Sequence, residues 1–485
     1  MLLKDLLETI YTKSIPEQYQ FLQISSVDCD SRKVRPGSLF VALKGTKLDG
    51  IEYVQQALEQ GAVCVVVGHS QGGNLSEGTA CFLEVSDPKN FLKLLALRFY
   101  QDPSQSVQCL GITGTNGKTT TTYLIESILC AAGKPCGIIG TINCRFGAHV
   151  IRIQNTTPHL VDVCHYLSQM RFEGFGYCAM EVSSHALDQG RVDGIDFKVG
   201  VFTNLTQDHL DYHKDMDDYF LAKAKLFAML SESSTAVLNN DDVFGKRLMH
   251  RTSAKVLTYG IKEKADIMAT KIILGLKKTR FVLALQHGEY AIETSLIGMH
   301  NIYNILAAVA ACRALNVDME YVCRGVEDMG CVPGRLESID CGQSFSVFVD
   351  YAHTDDALRN VLSSIRAIKK SKIILVFGCG GDRDQTKRAK MGKVASEMAD
   401  FSIIANDNPR SENPEDIVQS IARGFAHDQY AIILDRKEAI THALSLAKEG
   451  DVVLIAGKGH EDYQILKDRK IPFDDRQVVR EVLTC

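Results

Sequence analysis

The sequence predicts an α/β protein of about three domains with mainly parallel sheets. Three observations carry that expectation. The chain has 485 residues, which at ordinary domain sizes makes about three domains. Apolar runs rich in β-branched residues alternate with helical patterns almost throughout, the rhythm of βαβ units. A glycine-rich turn near residue 114 joins one such run to a helix, an arrangement suited to holding phosphate.

The elements follow in order. "MLLKDLLETIY" reads as a short amphipathic helix carrying Lys4, Asp5 and Glu8; neither a long apolar region nor a small-residue cleavage site follows, so no secretory signal is expected. "YVQQALEQG" is helical and leads to the strand "AVCVVVG", 62–68. A domain boundary is expected near "VSDPKN", 85–90, before the helix "FLKLLALRFY". A second lies near "GCVPG", 330–334, after the helical "NILAAVAACRAL" and "MEYVCRGVEDM". These divide the chain into 1–87, 88–331 and 332–485. Beyond the second boundary "KIILVFG", "RAKMGKVASEMAD" and "FSIIAND" read strand, helix, strand, and "KEAITHALSLAKEG" leads to "DVVLIAG", 451–457.

Composition excludes several classes. Apolar residues make up 45% and charged residues 23%, the balance of a soluble globular protein. With 54 basic against 59 acidic residues the net charge is -5, so neither a general nucleic-acid binder nor a membrane-surface binder is expected. No run approaches the roughly 18 apolar residues of a membrane span. The fifteen cysteines are scattered without a C-x-x-C pair and read as reduced thiols of a cytoplasmic protein.

The strongest local chemistry is "QCLGITGTNGKTTTTYLIESILCAAG", 108–133. Glycines let backbone N–H groups crowd round a phosphate. The helix start adds its dipole, Lys118 a positive charge, and Thr119 a hydroxyl able to ligate Mg²⁺. Ile112 stands where the first glycine of G-x-x-x-x-G-K-T belongs, so the motif is the shorter G-T-N-G-K-T. An acid for the metal is available in "GYCAMEVSSHALDQGRV", whose apolar run ends at Glu181. "FTNLTQDHLDYH" gathers Asp208, His209, Asp211 and His213 on a loop, a second candidate for a cation.

Together these motifs resemble the Mur ligase family, ATP-dependent enzymes that extend the peptide of the peptidoglycan precursor. "GTNGKT", "MEVSSHALDQGR", "TNLTQDHLDYH", "YFLAKAKLF", "GMHNIYNILAA", "PGRLE", "DYAHTDDAL" and "GCGGDRD" stand in the family's order. "DCDSRKVRPGSLFVALKG" resembles its UDP-sugar region, and the matches run from about residue 29 to about 464. The resemblance implies a small N-terminal α/β domain for the UDP-sugar, a central P-loop parallel-sheet ATPase domain, and a C-terminal Rossmann-like domain for the incoming amino acid. It implies ATP as substrate, Mg²⁺ as cofactor, small-molecule substrates as the only partners, and a monomer in the cytoplasm.

It also implies residue roles. Gly114, Thr115, Asn116, Gly117, Lys118, Thr119 and Thr120 would hold the ATP phosphates, with Asn301, Asn304, Arg335 and Asp350 lining the nucleotide. Thr119, Glu181 and His209 would surround Mg²⁺. The UDP-N-acetylmuramoyl-dipeptide would meet Ser31, Asn155, Thr156, Thr157, Ser183, Gln189 and Arg191; read bare, "QNTTP" is an ordinary turn and Ser31 a surface hydroxyl. Lys223, read bare, is a solvated helix lysine; in the family its counterpart reacts with CO₂ to give a carbamate, which requires a neutral amine.

By the same resemblance, the turn Asp407-Asn408-Pro409-Arg410 is similar to the one that marks the branch adding meso-2,6-diaminopimelate off from its lysine-adding relatives. Diaminopimelate is in effect a lysine with a carboxylate beside its far amine, and a guanidinium grips a carboxylate through two parallel hydrogen bonds. Arg383, Gly457 and Glu461 would complete that site, with Arg388 and Lys387 as competitors for the role of Arg383. Asp355 stands where the family commonly has proline; both residues suit a helix start. Rival readings are a folylpolyglutamate synthetase-like ligase, a P-loop switch that hydrolyses ATP, and a dinucleotide-binding oxidoreductase drawn from "VFGCGGDRD".

Overall fold

The computed structural model describes residues 1–45, 49–69, 80–210, 212–368 and 371–484. They gather into two compact units: residues 1–110, 135–139 and 143–198 in one, residues 111–134, 140–142 and 199 onward in the other. No helix among the described residues is long and apolar enough to cross a membrane, and the described cysteines form no disulfide.

In the first unit Ser26–Asp28, Ser38–Val41, Ala62–Gly68 and Cys81–Val85 form a parallel sheet in chain order. The run read as "AVCVVVG" is its third strand, buried along both faces. The proline of "VSDPKN" marks a helix start: Asp87 Oδ1 accepts from Asn90 N at 3.0 Å and Pro88 opens the helix Pro88–Phe99. Cys136–Ile139 pairs in parallel with Tyr177–Glu181, then antiparallel with Cys144–Phe146, which continues antiparallel to His149–Ile151.

In the second unit Phe197–Phe202, Thr235–Asn239, Lys255–Gly260 and Ile267–Ile273 are successive parallel neighbours. Thr279–Leu285 and Gly288–Thr294 then add an antiparallel margin. This margin is the minority within the mainly parallel sheet that the sequence predicts, and its reason is simple: only Gln286 and His287 separate the last two strands, and a parallel return needs a crossover of a dozen residues or more. The helices Lys118–Ala131 and Met319–Asp328 approach so closely that a Cβ at Gly325 would lie 2.4 Å from Ile128 Cα.

The C-terminal sheet runs, in space, Glu337–Ser338, Ser346–Asp350, Val452–Ala456, Ile373–Phe377, Phe401–Ile404, Tyr430–Ile432. All but the first pairing are parallel. Side chains alternate strictly. Phe348, Leu375, Phe377 and Leu454 face the helices Asp355–Ile368, Thr386–Met398 and Pro414–Ala422. Val349, Val376, Ile403 and Val453 face Arg436–Leu446 and Asp475–Thr484. Burial on both faces is why these strands read as unbroken apolar runs. The last strand inserts between the first two long ones, so the loops after Asp350, Phe377 and Ala456 meet where strand order reverses, the usual ligand position in such sheets.

One buried ion pair anchors this end. The Arg436 guanidinium donates Nε–H to Asp475 Oδ1 at 2.7 Å and Nη2–H to Oδ2 at 2.8 Å, with both side chains 0% exposed. It also donates to the carbonyls of Ala456 at 3.0 Å and Asn406 at 3.3 Å, tying two strand ends to the C-terminal helix. Arg436→Met leaves Asp475 buried and uncompensated. It is expected to cost about 3–5 kcal/mol, measured by urea unfolding.

Candidate active site

The strand Gln108–Thr113 delivers the chain to Gly114 at φ +152° and Gly117 at φ +88°, and the helix Lys118–Ala131 follows. Neither glycine has room for a side chain: a Cβ would lie 1.8 Å from Thr203 Oγ1 at Gly114 and 2.2 Å from Asn304 Oδ1 at Gly117. Segment 203–206 cradles the loop. Thr203 Oγ1 donates to Asn116 O at 2.6 Å, Asn204 Oδ1 accepts from Asn116 N at 2.9 Å, and Thr115 Oγ1 accepts from Thr206 N at 3.1 Å. Thr119 and Thr120 are buried in the first turn.

Two lysines meet at one carbonyl. Lys118 Nζ donates to Gly114 O at 2.9 Å and Thr115 O at 2.8 Å, and Lys223 Nζ donates to the same Gly114 O at 2.9 Å. Lys223, in the helix Met216–Ala228, is 1% exposed and lies 4.5 Å from the Tyr219 ring centroid. The solvated-lysine reading is therefore overturned. Burial, and then the neighbouring charge of Lys118, push the Lys223 amine well below the ordinary lysine range, against a weaker opposing pull from Asp208.

Asn301 and Asn304 sit one turn apart in the helix Met299–Ala314, both buried; Asn304 Nδ2 donates to Asn301 Oδ1 at 3.0 Å and Asn301 Nδ2 to Ile297 O at 2.8 Å. Arg335 Nη2 donates to Thr119 Oγ1 at 3.3 Å, and the guanidinium lies 4.8 Å from the Tyr351 ring centroid. Asp350 is spent on backbone: its oxygens accept from Leu336 N and Ala352 N, each at 2.7 Å. Burial raises its carboxyl above the usual range, partly opposed by Arg335. A cavity of ≈ 280 Å³ opens beside Asn301 and Arg335, walled by Leu296, Ile297, Leu336 and Phe348.

His209, at φ 55°, is half-exposed and lies 3.6 Å from Asp208. His213 is 2% exposed, 3.4 Å from Asp218 and packed against Tyr219, so it is a core histidine. Asp211 lies outside the described residues. Among the described residues no three His, Cys, Asp or Glu side chains gather as a ready-made metal cage.

In the first unit Glu181 ends its strand, 1% exposed. Thr157 Oγ1 donates to Glu181 O at 2.8 Å and accepts from Ser183 N at 3.1 Å. Arg191 donates to Thr157 O at 2.9 Å and to Gln189 Oε1 at 2.6 Å. These predicted residues thus form one connected cluster, with Asn155 exposed and Thr156 half-buried at its edge. Ser31 Oγ donates to Gln56 Oε1 at 2.8 Å and is only 7% exposed, so it is no free surface hydroxyl.

In the C-terminal sheet a Cβ at Gly380 would lie 2.9 Å from Arg410 Nη1 and 3.7 Å from Arg383 Cγ, so the two predicted arginines flank one glycine. Arg410, at φ 52°, donates Nη1–H to Gly381 O at 2.7 Å, and its backbone pairs with Ile465 and Lys467. Pro409 O would stand 1.9 Å from a Cβ at Gly381. The competitors are engaged: Arg388 pairs with Glu412 at 2.9 Å and Lys387 donates to His353 O at 2.9 Å. Asn408 Nδ2 donates to Glu461 Oε2 at 2.9 Å, and a Cβ at Gly457 would lie 2.7 Å from Asp407 Oδ2.

Residues 23–100 match the Mur ligase family catalytic domain, 112–312 the Mur ligase middle domain, and 334–459 the Mur ligase glutamate ligase domain. A UDP-N-acetylmuramoyl-L-alanyl-D-glutamate–2,6-diaminopimelate ligase of Geobacillus thermodenitrificans is 46% identical, over 94% of each chain. The chain belongs to the Mur ligase family. A solved structure of a ligase of the same name superposes with a TM-score of 0.70 at 31% identity, covering 100% of this chain and 99% of that one. The Mur ligase fold extends to MurF of Thermotoga maritima in complex with ADP, with a TM-score of 0.65 at 16% identity, covering 97% and 98%.

Two features of this Mur ligase escaped the sequence reading. Asp356 Oδ2 accepts from Asn116 Nδ2 at 3.2 Å and Thr206 Oγ1 at 3.0 Å, joining the C-terminal module to the phosphate loop. Lys458 is a lysine with 0% side-chain exposure among acids. Its only sequence signal is its place between two glycines. The substitution at Asp355 is accommodated: Thr354 Oγ1 accepts from Ala357 N at 3.2 Å as the cap, and Asp355 opens the helix, where proline would also fit.

The Lys223 amine gives a signed expectation. Its value is depressed in the fold, so between that value and the ordinary lysine range the unfolded chain binds more protons, and stability rises with pH. In CO₂-free buffer, Lys223→Met should stabilise the chain by about 1–2 kcal/mol near pH 7. That advantage should shrink as pH rises toward 10, read from thermal melts across pH.

Proposed function

We propose that this chain is an ATP-dependent ligase that joins meso-2,6-diaminopimelate to the D-glutamate of UDP-N-acetylmuramoyl-L-alanyl-D-glutamate, in peptidoglycan precursor synthesis. One observation carries the choice of amino acid: Arg383, on the loop of Gly380, and Arg410, on the turn after Ile404, flank Gly380, while Glu461 is held against Asn408 of the same turn as Arg410. Cation and anion so arranged suit the carboxylate and ammonium at the far end of diaminopimelate. The near-full-length relative of that name supports the reading.

The domains bounded near residues 87 and 331 take the UDP-sugar, ATP and the amino acid respectively. Ser31, Asn155, Thr156, Thr157, Ser183, Gln189 and Arg191 receive the muramoyl-dipeptide. In the first step an oxygen of the D-glutamate γ-carboxylate attacks the γ-phosphorus of ATP, ADP leaves, and an acyl phosphate forms. In the second the amine nitrogen attacks the acyl carbon, phosphate leaves, and the amine loses a proton. Like charges meet in the first step. The backbone amides of 114–119 and Lys118 offset that repulsion once Lys118 swings from its own loop carbonyls to the phosphates. Asn301, Arg335 and the adjoining cavity hold the nucleoside, and Asp350 fixes the turn that carries Arg335.

Mg²⁺ fits the residues present. A threonine hydroxyl and a carboxylate, without a dedicated cage, are what an ion shared with substrate phosphates uses. Thr119, Glu181 and His209 would hold it, and when bound it supplies positive charge to the phosphates. In its neutral form, which burial favours, the Lys223 amine suits attack on CO₂, forming an N–C bond and releasing a proton, which makes the side chain an anion.

The test supplies the muramoyl-dipeptide and Mg-ATP with either diaminopimelate or L-lysine, and follows phosphate release and product mass. Product with diaminopimelate and little with lysine is expected; equal use of both amines refutes the specificity, and phosphate without ligation refutes the ligase. Arg410→Lys should raise the KM for diaminopimelate roughly tenfold to hundredfold and leave the KM for ATP unchanged.

A further inference from the structure

Lys458 follows the strand Val452–Ala456, between Gly457 at φ +116° and Gly459 at φ +51°. Its side chain is 0% exposed. A lysine is rarely buried so fully without fixed acceptors. Nζ lies 3.2 Å from Glu461 Oε2, 3.3 Å from Asn408 Oδ1 and 4.0 Å from Asp407 Oδ1. All three acceptors belong to the loops assigned to the amino acid, which gives the burial a purpose beyond packing.

The hydrogen-bond logic is directional. Asn408 Oδ1 accepts from Lys458 Nζ and also from Ile465 N at 3.0 Å. With two donors on its oxygen the amide cannot turn over, so Nδ2 must face Glu461, to which it donates at 2.9 Å. Glu461 Oε2 therefore takes two donors, from Asn408 and from Lys458. Oε1 is left as the acceptor for an incoming group, on a side chain that is 17% exposed. The cation also lies close to both Asp407 and Glu461, reducing the repulsion between two acids held near each other.

We propose that Lys458 is a positioning residue for amino-acid recognition: it locks the Asn408 amide and Glu461 so that Glu461 Oε1 meets the ammonium group of the incoming diamino acid. This rests on the reading of the site given above. Lys458 touches no reacting atom; its effect passes through Glu461.

The experiment uses the full chain and compares Lys458→Met, Glu461→Gln and the double variant, with steady-state kinetics in diaminopimelate and in ATP. Acyl phosphate is also trapped by hydroxylamine in the absence of amino acid. Lys458→Met should raise the KM for diaminopimelate roughly tenfold or more, while the KM for ATP and the trapped acyl phosphate match the wild type. The double variant should be no worse than Glu461→Gln alone, since Lys458 acts through that carboxylate. An unchanged diaminopimelate KM in Lys458→Met overturns the proposal. So does a parallel fall in acyl-phosphate yield, or a double variant whose losses add. Should Lys458→Met fail to fold, the double variant lacks both charges of the pair, and its comparison with Glu461→Gln decides. A wild type that ligates a different amine would refute the substrate assignment instead, and the same three variants are then read with that amine.

Discussion

Glycines let neighbouring loops crowd together beside the sheets, against backbone or, at Gly114, a threonine hydroxyl, and the site depends on that crowding. A Cβ at Gly114 would strike Thr203, one at Gly381 would strike the Pro409 carbonyl, one at Gly378 the Ala405 carbonyl, and one at Gly334 the His460 amide. Each contact lies closer than a side chain allows. Neighbouring loops are thereby fixed against one another without the freedom that intervening side chains would bring. The phosphate loop is held to segment 203–206, and the turn that carries Arg410 is held to the glycines after Phe377. The Arg436–Asp475 pair secures the same end from beneath, through the carbonyls of Ala456 and Asn406.

Two buried lysines show how surroundings divide one residue type into two roles. Lys223 shares a carbonyl with another lysine and faces an aromatic ring, so the neutral amine is favoured. Lys458 is as deeply buried but stands among a carboxamide oxygen and two carboxylates, so its charge has partners. Burial alone assigns neither role; the charge of the nearest neighbour does. The first arrangement is the one proposed for attack on CO₂, and the second the one proposed to hold the recognition loop in shape.

The module beyond residue 334 reaches the nucleotide loop itself through polar contacts, beside an apolar contact of Ile297 with Leu336 and Phe348. Arg335 reaches Thr119, and Asp356 reaches Asn116 and Thr206. Such bonds are individually modest because each replaces bonds to water. Polar contacts of this kind can exchange partners when phosphates arrive.

Much of this protein could be read from the sequence. The unbroken runs "KIILVFG", "FSIIAND" and "DVVLIAG" declare strands covered on both faces, since only such strands can be apolar at every position. The phosphate loop and the strand ending at Glu181 follow from motifs local in the chain, whereas Arg410 reaches Gly380 and Arg383 only through folding, from the loop after another strand. The antiparallel margin was hidden, because strand direction depends on the length of the connection rather than on the residues paired. The state of Lys223 was legible only through the family resemblance: its helix neighbours give no sign that Gly114 and Lys118, more than a hundred residues earlier, lie beside its amine. Lys458 and Asp356 acquire their meaning only from distant partners. Sequence by itself determined which segments become strands, turns and phosphate cradle, because backbone preference and burial pattern are written locally. Tertiary structure alone decided which lysine amine is pushed below its ordinary range and which stands among acids, because charge is set by whatever folding brings within a few ångströms.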